Sequence, residues 1–182
     1  MINLFTKATI LNSLQDKVKL KEIRSFQLTD EYRRVDNIIG DKMYSFHMIP
    51  YFDESIYHEY LAKVEIQKTS SANILLTHIA VNGVKNNDGS PVTSGVPIKG
   101  FDKFDKIFIG HYLNKQIIDN VMYIGSLYQK NFGEDDAKGI SIVYNDLSVT
   151  QIPTEFKKFE TVSYNIDDLS IKELESIAST YS

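Results

Sequence analysis

The sequence predicts an α/β fold, and three observations carry that expectation. Two short apolar runs, Ile74-Leu75-Leu76-Thr77 and Ile107-Phe108-Ile109, are bounded by polar residues, as strands buried on both faces are. The segment after Asp53 repeats its apolar residues at helical spacing. Near the C-terminus, Ser170-Ile171-Lys172-Glu173 has the form of a capping box that opens a further helix.

The elements follow in order. Leu4, Ala8, Leu11 and Leu14 have roughly helical spacing, and Val18 to Ile23 alternates like an exposed strand. Residues 24–41, with Arg24, Arg33 and Arg34, are polar and show no readable period. Met43 to Ile49 reads as a strand stopped by Pro50. Asp53 is the expected cap of a helix reaching about Lys68, with Ile56, Tyr57, Tyr60, Leu61 and Val64 on one face. The two buried-type strands come next, separated by residues 82–100. Six Gly and Pro residues mark that stretch as a long surface loop, of the kind that is often functional.

Short runs near 116–118, 121–124, 139–144 and 147–152, separated by turn residues, suggest an antiparallel meander. Phe159 to Tyr164 reads as one more strand. In the last helix Leu174, Ile177, Ala178 and Tyr181 form one stripe, and Leu169 and Leu174 form a staple.

Composition narrows the function. At 182 residues the chain suits one domain with a proper core. Twenty Lys and Arg against 24 Asp and Glu, a net charge of −4, argue against a general nucleic-acid coat but leave a local patch open. The absence of cysteine excludes disulfides, thiol nucleophiles and Cys-based zinc sites. No apolar run is long enough to span a bilayer, and MINLFTKATILN lacks the pattern of a secretory signal, so a cytoplasmic protein is expected.

Four histidines are the main chemistry-bearing candidates. His78 and His111 each sit at the carboxyl end of a short apolar strand, the edge where open α/β sheets bind ligands. Two neutral imidazoles converging there would make half of a first-row metal site, with Gly110 expected to let the backbone turn sharply before the second. Standing alone, a histidine in such a place is more often structural. His47, inside a strand, and His58, on the outer side of a helix, are expected to be structural or solvated. Asp88 is a nearby carboxylate, but Asn87-Asp88-Gly89 reads first as a turn. Asn86 to Ser90 lacks the acidic alternation of a calcium loop. Lys103-Phe104-Asp105-Lys106 reads as the solvated entry to a strand rather than a nucleic-acid patch.

Taken together, several motifs in order and spacing resemble a known family. They are Leu75-Leu76-Thr77-His78-Ile79, Phe108-Ile109-Gly110-His111-Tyr112, Met122-Tyr123-Ile124-Gly125-Ser126, Asn131-Phe132-Gly133-Glu134 and Lys138-Gly139-Ile140. The family is the calcineurin-like metallophosphoesterases, specifically the SbcD-type nuclease subunits and the small subunit of phage recombination endonucleases. Met48-Ile49-Pro50-Tyr51 extends the resemblance, which covers about residues 4–152.

The resemblance implies one half, the C-terminal one, of a four-layer α-β-β-α sandwich over residues 1–153. Residues 154–182 would be a strand and short helix left from, or linking to, a cap domain. It implies a two-ion site, usually manganese, that hydrolyses DNA phosphodiesters. His78 matches the family's lone histidine ligand and His111 the first histidine of its final motif, both on the same ion. Leu113 stands where the family has a histidine for the other ion, and leucine cannot coordinate a metal. The resemblance leaves the family's first three ligand motifs, Asp-x-His, Gly-Asp and Gly-Asn-His-Asp, without a counterpart in order and spacing.

The expectation is therefore a truncated SbcD-like DNA nuclease subunit, inactive alone. Its partners would be an SbcC-like ATPase or a complementing N-terminal half, with DNA reached through them and no membrane involved. A catalytically dead binding or regulatory derivative is the alternative. At most one weakly held divalent ion is expected, at His78 and His111. Half a sandwich also leaves sheet edges open, so residues 1–40 or a partner, such as a second copy in a homodimer, must cover them.

Overall fold

The computed structural model describes residues 3–4, 26–27, 31–86, 88–156, 158–159, 163, 165 and 169–181. The fold is α/β, as expected. Two-residue strands β1 (Asn3–Leu4) and β2 (Phe26–Gln27) pair in parallel. The main body is a six-stranded sheet built from β3 (Arg33–Ile39), β4 (Lys42–Ile49), β5 (Ala72–His78), β6 (Lys106–Gly110), β7 (Gln116–Ile118) and β8 (Val121–Tyr123). Its strand order is β3-β4-β5-β6-β8-β7. The four inner strands run parallel, and β3 and β7 close the edges antiparallel. Outside it, β9 (Gly139–Val143) and β10 (Val149–Pro153) form a separate hairpin. The helices are α1 (Glu54–Lys63) and α2 (Ile171–Tyr181). No described helix is long and apolar enough to cross a membrane.

Parallel inner strands need cover on both faces, and alternation of side chains sorts the core into two clusters. On one face Leu75, Ile107, Ile109, Val121 and Tyr123 pack under Tyr57, Leu61 and Val64 of the α1 region. Val81, Val84, Val92, Val96, Phe101 and Phe104 complete that layer. The stretch expected to be a surface loop is thus half of the cover. Its backbone closes on itself, Val96 N–H donating to Ala80 O at 2.8 Å and Val92 N–H to Val84 O at 2.8 Å. A Cβ at Gly95 would lie 2.7 Å from Ala80 O, so only glycine permits that approach. On the other face Tyr44, Ala72, Ile74, Phe108 and Met122 pack against Leu147 and Val149 of the β9–β10 hairpin. Tyr44 Oη–H donates to Asn145 O at 2.5 Å.

Several expectations shift. Strand β3 went unread because all its residues but one are exposed and it starts with two arginines. It is the piece of residues 1–40 that covers the outer edge of β4. Helix α1 has its Asp53 cap, with Ser55 N–H donating to Asp53 Oδ1 at 2.9 Å, but stops at Lys63. Lys103 Nζ ends it, donating to Leu61 O at 2.5 Å and Val64 O at 2.9 Å, which suits a cation at a helix C-terminus. Residues 103–106 are therefore a structural joint rather than a solvated entry: Phe104 is buried, and Asp105 accepts from Asn73 N–H at 2.7 Å. The expected meander is two separate hairpins, because β8 pairs with β6 in parallel. The capping box at Ser170 forms, Ser170 N–H donating to Glu173 Oε2 at 2.8 Å. The helix expected over 4–14 and the strand over 18–23 lie outside the described residues, except that Leu4 is in β1. So does most of the strand expected over 159–164; Phe159 is in no strand.

His47 is structural. It is fully buried, Nε2–H donating to Asn73 Oδ1 at 3.0 Å and Nδ1 accepting from Tyr32 Oη–H at 3.0 Å. Asn73 is oriented by Gln67, whose N–H donates to Asn73 Oδ1 at 2.9 Å and whose carbonyl accepts from Asn73 Nδ2 at 3.1 Å. That orientation places a proton on Nε2. Burial lowers the His47 pKa; the Asn73 bond and the negative charge of Asp36 oppose this, and the positive charges of Arg34 and Lys103 add to the lowering.

Two predictions follow from this network. Asn73→Ala leaves one buried donor, on His47, and one half-buried donor, on Gln67, without their acceptor and should cost about 3 kcal/mol, read as a lower urea midpoint. A lowered folded-state pKa means that the unfolded chain takes up the His47 proton first. The stability linked to it is complete above the unfolded value, about 6.5, and declines as pH falls toward the folded value. The slope of unfolding free energy between pH 7.5 and 5.5 should be shallower in His47→Gln than in wild type.

Candidate metal centre

The register of β5 and β6 brings two of the four histidines together. His78 is the last residue of β5 and pairs in register with Gly110, the last residue of β6. His111 follows directly. The two rings meet edge to face, with centroids 5.3 Å apart and planes at 83°. His78 is half-buried and His111 exposed.

Alternation settles which side of the sheet His78 occupies. Thr77 faces α1, where its Oγ1 accepts from Tyr57 Oη–H at 2.8 Å. His78 therefore projects to the opposite face, the side of Leu76. The pair lies at the carboxyl edge of the sheet, as expected. Chain order across the described parallel strands runs one way, so the pair does not sit at a reversal of strand order.

The role expected of Gly110 needs correcting. Gly110 does not make the turn: it has no positive φ, whereas His111 has φ 114°. What glycine provides is room, since a Cβ at position 110 would come 2.7 Å from His78 Nδ1. The sharp change of direction falls on His111 itself, in a region that favours glycine.

Aromatic rings frame the pair. Tyr51 lies edge-on to His78 with centroids 6.2 Å apart, and Tyr112 edge-on to His111 at 4.8 Å. Tyr112 in turn contacts Tyr123 at 5.2 Å. Tyr123 Oη–H donates to Ile79 O at 2.9 Å, and burial pushes its pKa up, so it is a neutral donor. Burial does the same to Tyr112, helped by the negative charge of Glu54.

The other candidates lie elsewhere. His47 belongs to the buried network described above, and His58 is exposed on α1. Asp88 Oδ1 accepts from Ser90 N–H at 2.9 Å and Ser90 Oγ–H at 2.6 Å, the turn expected of it. Among the described residues, no group of three or more His, Asp or Glu side chains is placed to hold a metal ion. Two imidazoles by themselves suit manganese poorly, since manganese prefers oxygen donors.

No protein-family model matches the chain. A curated protein named "Putative phosphoesterase 244L", from Invertebrate iridescent virus 6, is 26% identical over 142 residues, 74% of this chain. The chain spans 49% of that relative's length. The likeness supports a phosphoesterase-like relationship, and the α/β sheet with its short C-terminal helix is consistent with part of an α/β phosphoesterase fold.

Gly110→Ala should separate the two roles a glycine could have here. The added methyl group would press on the His78 ring, an overpacking that costs about 1–3 kcal/mol. Urea denaturation should show that loss. The imidazole signals of His78 should move in NMR spectra of the folded variant, while those of the distant His58 stay in place.

Proposed function

We propose that the chain carries the histidine-bearing part of an SbcD-like phosphodiesterase acting on DNA, and that it works only with partner protein supplying the remaining ligands. The observation that carries this reading is the His78–His111 pair, seated over Gly110 at the carboxyl edge of two parallel strands. The likeness to a viral protein named as a phosphoesterase supports the class of chemistry.

Imidazole nitrogens suit zinc, copper or nickel, so the pair would hold at most one such ion, weakly, with water or a partner's carboxylate completing its shell. An ion there would supply charge stabilisation to a phosphoryl oxygen. The partners in this reading are a complementing N-terminal half and an SbcC-like ATPase, with a homodimer as the simplest assembly and the cytoplasm as the place.

A second reading, a catalytically silent binding or regulatory derivative, is favoured by one residue. Leu113 offers no donor side chain, and its carbonyl is already engaged by Lys138 Nζ at 2.7 Å and Ser126 N–H at 3.0 Å. A partner would have to supply that ligand as well.

Purified protein should show no manganese-dependent cleavage of single- or double-stranded DNA above a no-protein control. Robust cleavage abolished by His78→Ala would overturn the proposal. Calorimetric titration should show zinc bound more tightly than manganese, and His111→Ala should remove the zinc signal. Zinc binding indifferent to His111 would show that the pair does not hold the metal.

A further inference from the structure

The motifs Asn131-Phe132-Gly133-Glu134 and Lys138-Gly139-Ile140 stand apart from the imidazole pair in sequence, yet they hold the only buried carboxylate and ammonium among the described residues. The Lys138 and Glu134 side chains are 5% and 0% exposed, and Lys138 Nζ lies 2.8 Å from Glu134 Oε2. Burial alone would raise the Glu134 pKa. The Lys138 ammonium and the Lys130 N–H, donating to Oε1 at 2.8 Å, outweigh it and hold the carboxyl below its usual range.

An ammonium has three N–H donors. Beyond Glu134, Lys138 Nζ donates to Leu113 O at 2.7 Å and Asn114 Oδ1 at 3.0 Å. Asn114 Oδ1 also accepts from Asp135 N–H at 3.1 Å, and Leu113 O from Ser126 N–H at 3.0 Å. On the same side Gly125, at φ 75°, lets the backbone approach: a Cβ there would lie 3.3 Å from Leu113 O. The segment 113–115 is thus gripped by the loop 125–138. It begins two residues after His111, whose φ of 114° is one that histidine rarely adopts.

We propose that Lys138 is a positioning residue: with its charge balanced by Glu134, it grips Leu113 and Asn114 and so holds His111 in the conformation that sets its ring against His78. The role in metal binding rests on the reading of His78 and His111 as ligands; the grip itself does not. A buried ion pair is weak support for stability, since apolar side chains of similar volume often replace one without loss. Here the ammonium donates to three acceptors in fixed directions, tying 113–114 to Glu134, and methionine donates to none of them.

The test uses the full 182-residue chain and the double variant Glu134→Gln/Lys138→Met, which leaves no buried charge unpaired. Backbone order parameters at 111–115 should fall from about 0.85 to below about 0.6, with β5 and β6 unchanged. The His111 imidazole signals should shift, and zinc affinity should drop at least roughly tenfold. Unchanged order and unchanged His111 signals in the folded variant would overturn the proposal. A variant that fails to fold would overturn it too, by making the pair a support of the whole fold. If wild type binds no zinc but 111–115 still loosens in the variant, the grip stands and only the metal reading fails.

Discussion

Four parallel strands buried on both faces impose the main constraint on this molecule. Strands β5, β6 and β8 present apolar side chains up and down, and β4 adds the buried Ser45 and His47, so two separate layers of cover are required. One layer is α1 and the valine-rich stretch that follows β5; the other is the β9–β10 hairpin. The connection between β5 and β6 cannot therefore be a free loop. It contributes more buried side chains to the core than α1 does, although it contains only one short 3₁₀ turn, Ile98–Phe101.

The same constraint explains what was legible in the sequence. Strands β5 and β6 announced themselves because both faces are buried, which leaves an uninterrupted apolar run. The two helix caps were readable because Asp53, Ser170 and Glu173 act locally, on backbone groups within three residues. Strand β3 was not, because an edge strand owes its place to hydrogen bonds with β4 rather than to buried side chains. The packed character of residues 81–96 was also hidden: valines spaced by glycines and prolines carry no period, and their burial comes from bridges such as Val81 to Val96.

At the candidate site, sequence placed His78 and His111 at strand ends but could not supply the register that sets His78 beside Gly110. It also assigned the turn to the wrong residue. A glycine next to a histidine invites the inference that glycine bends, whereas the close approach of the His78 ring is what excludes a larger residue at 110. The buried lysine and glutamate were visible only as motif letters, since nothing in their spacing says that one reaches back about 25 residues to a carbonyl.

The positive φ of His111 has a consequence for how this sequence tolerates change. A side chain held in a backbone region suited to glycine stores local strain, of order 1–3 kcal/mol in comparable cases. Replacement by glycine would release that strain and remove the imidazole in one step. Selection for stability and selection for the histidine therefore pull in opposite directions at this one position. A lineage that no longer needed the ring would be free to drift toward glycine there, while Gly110 beside it could relax only after His78 had been lost as well.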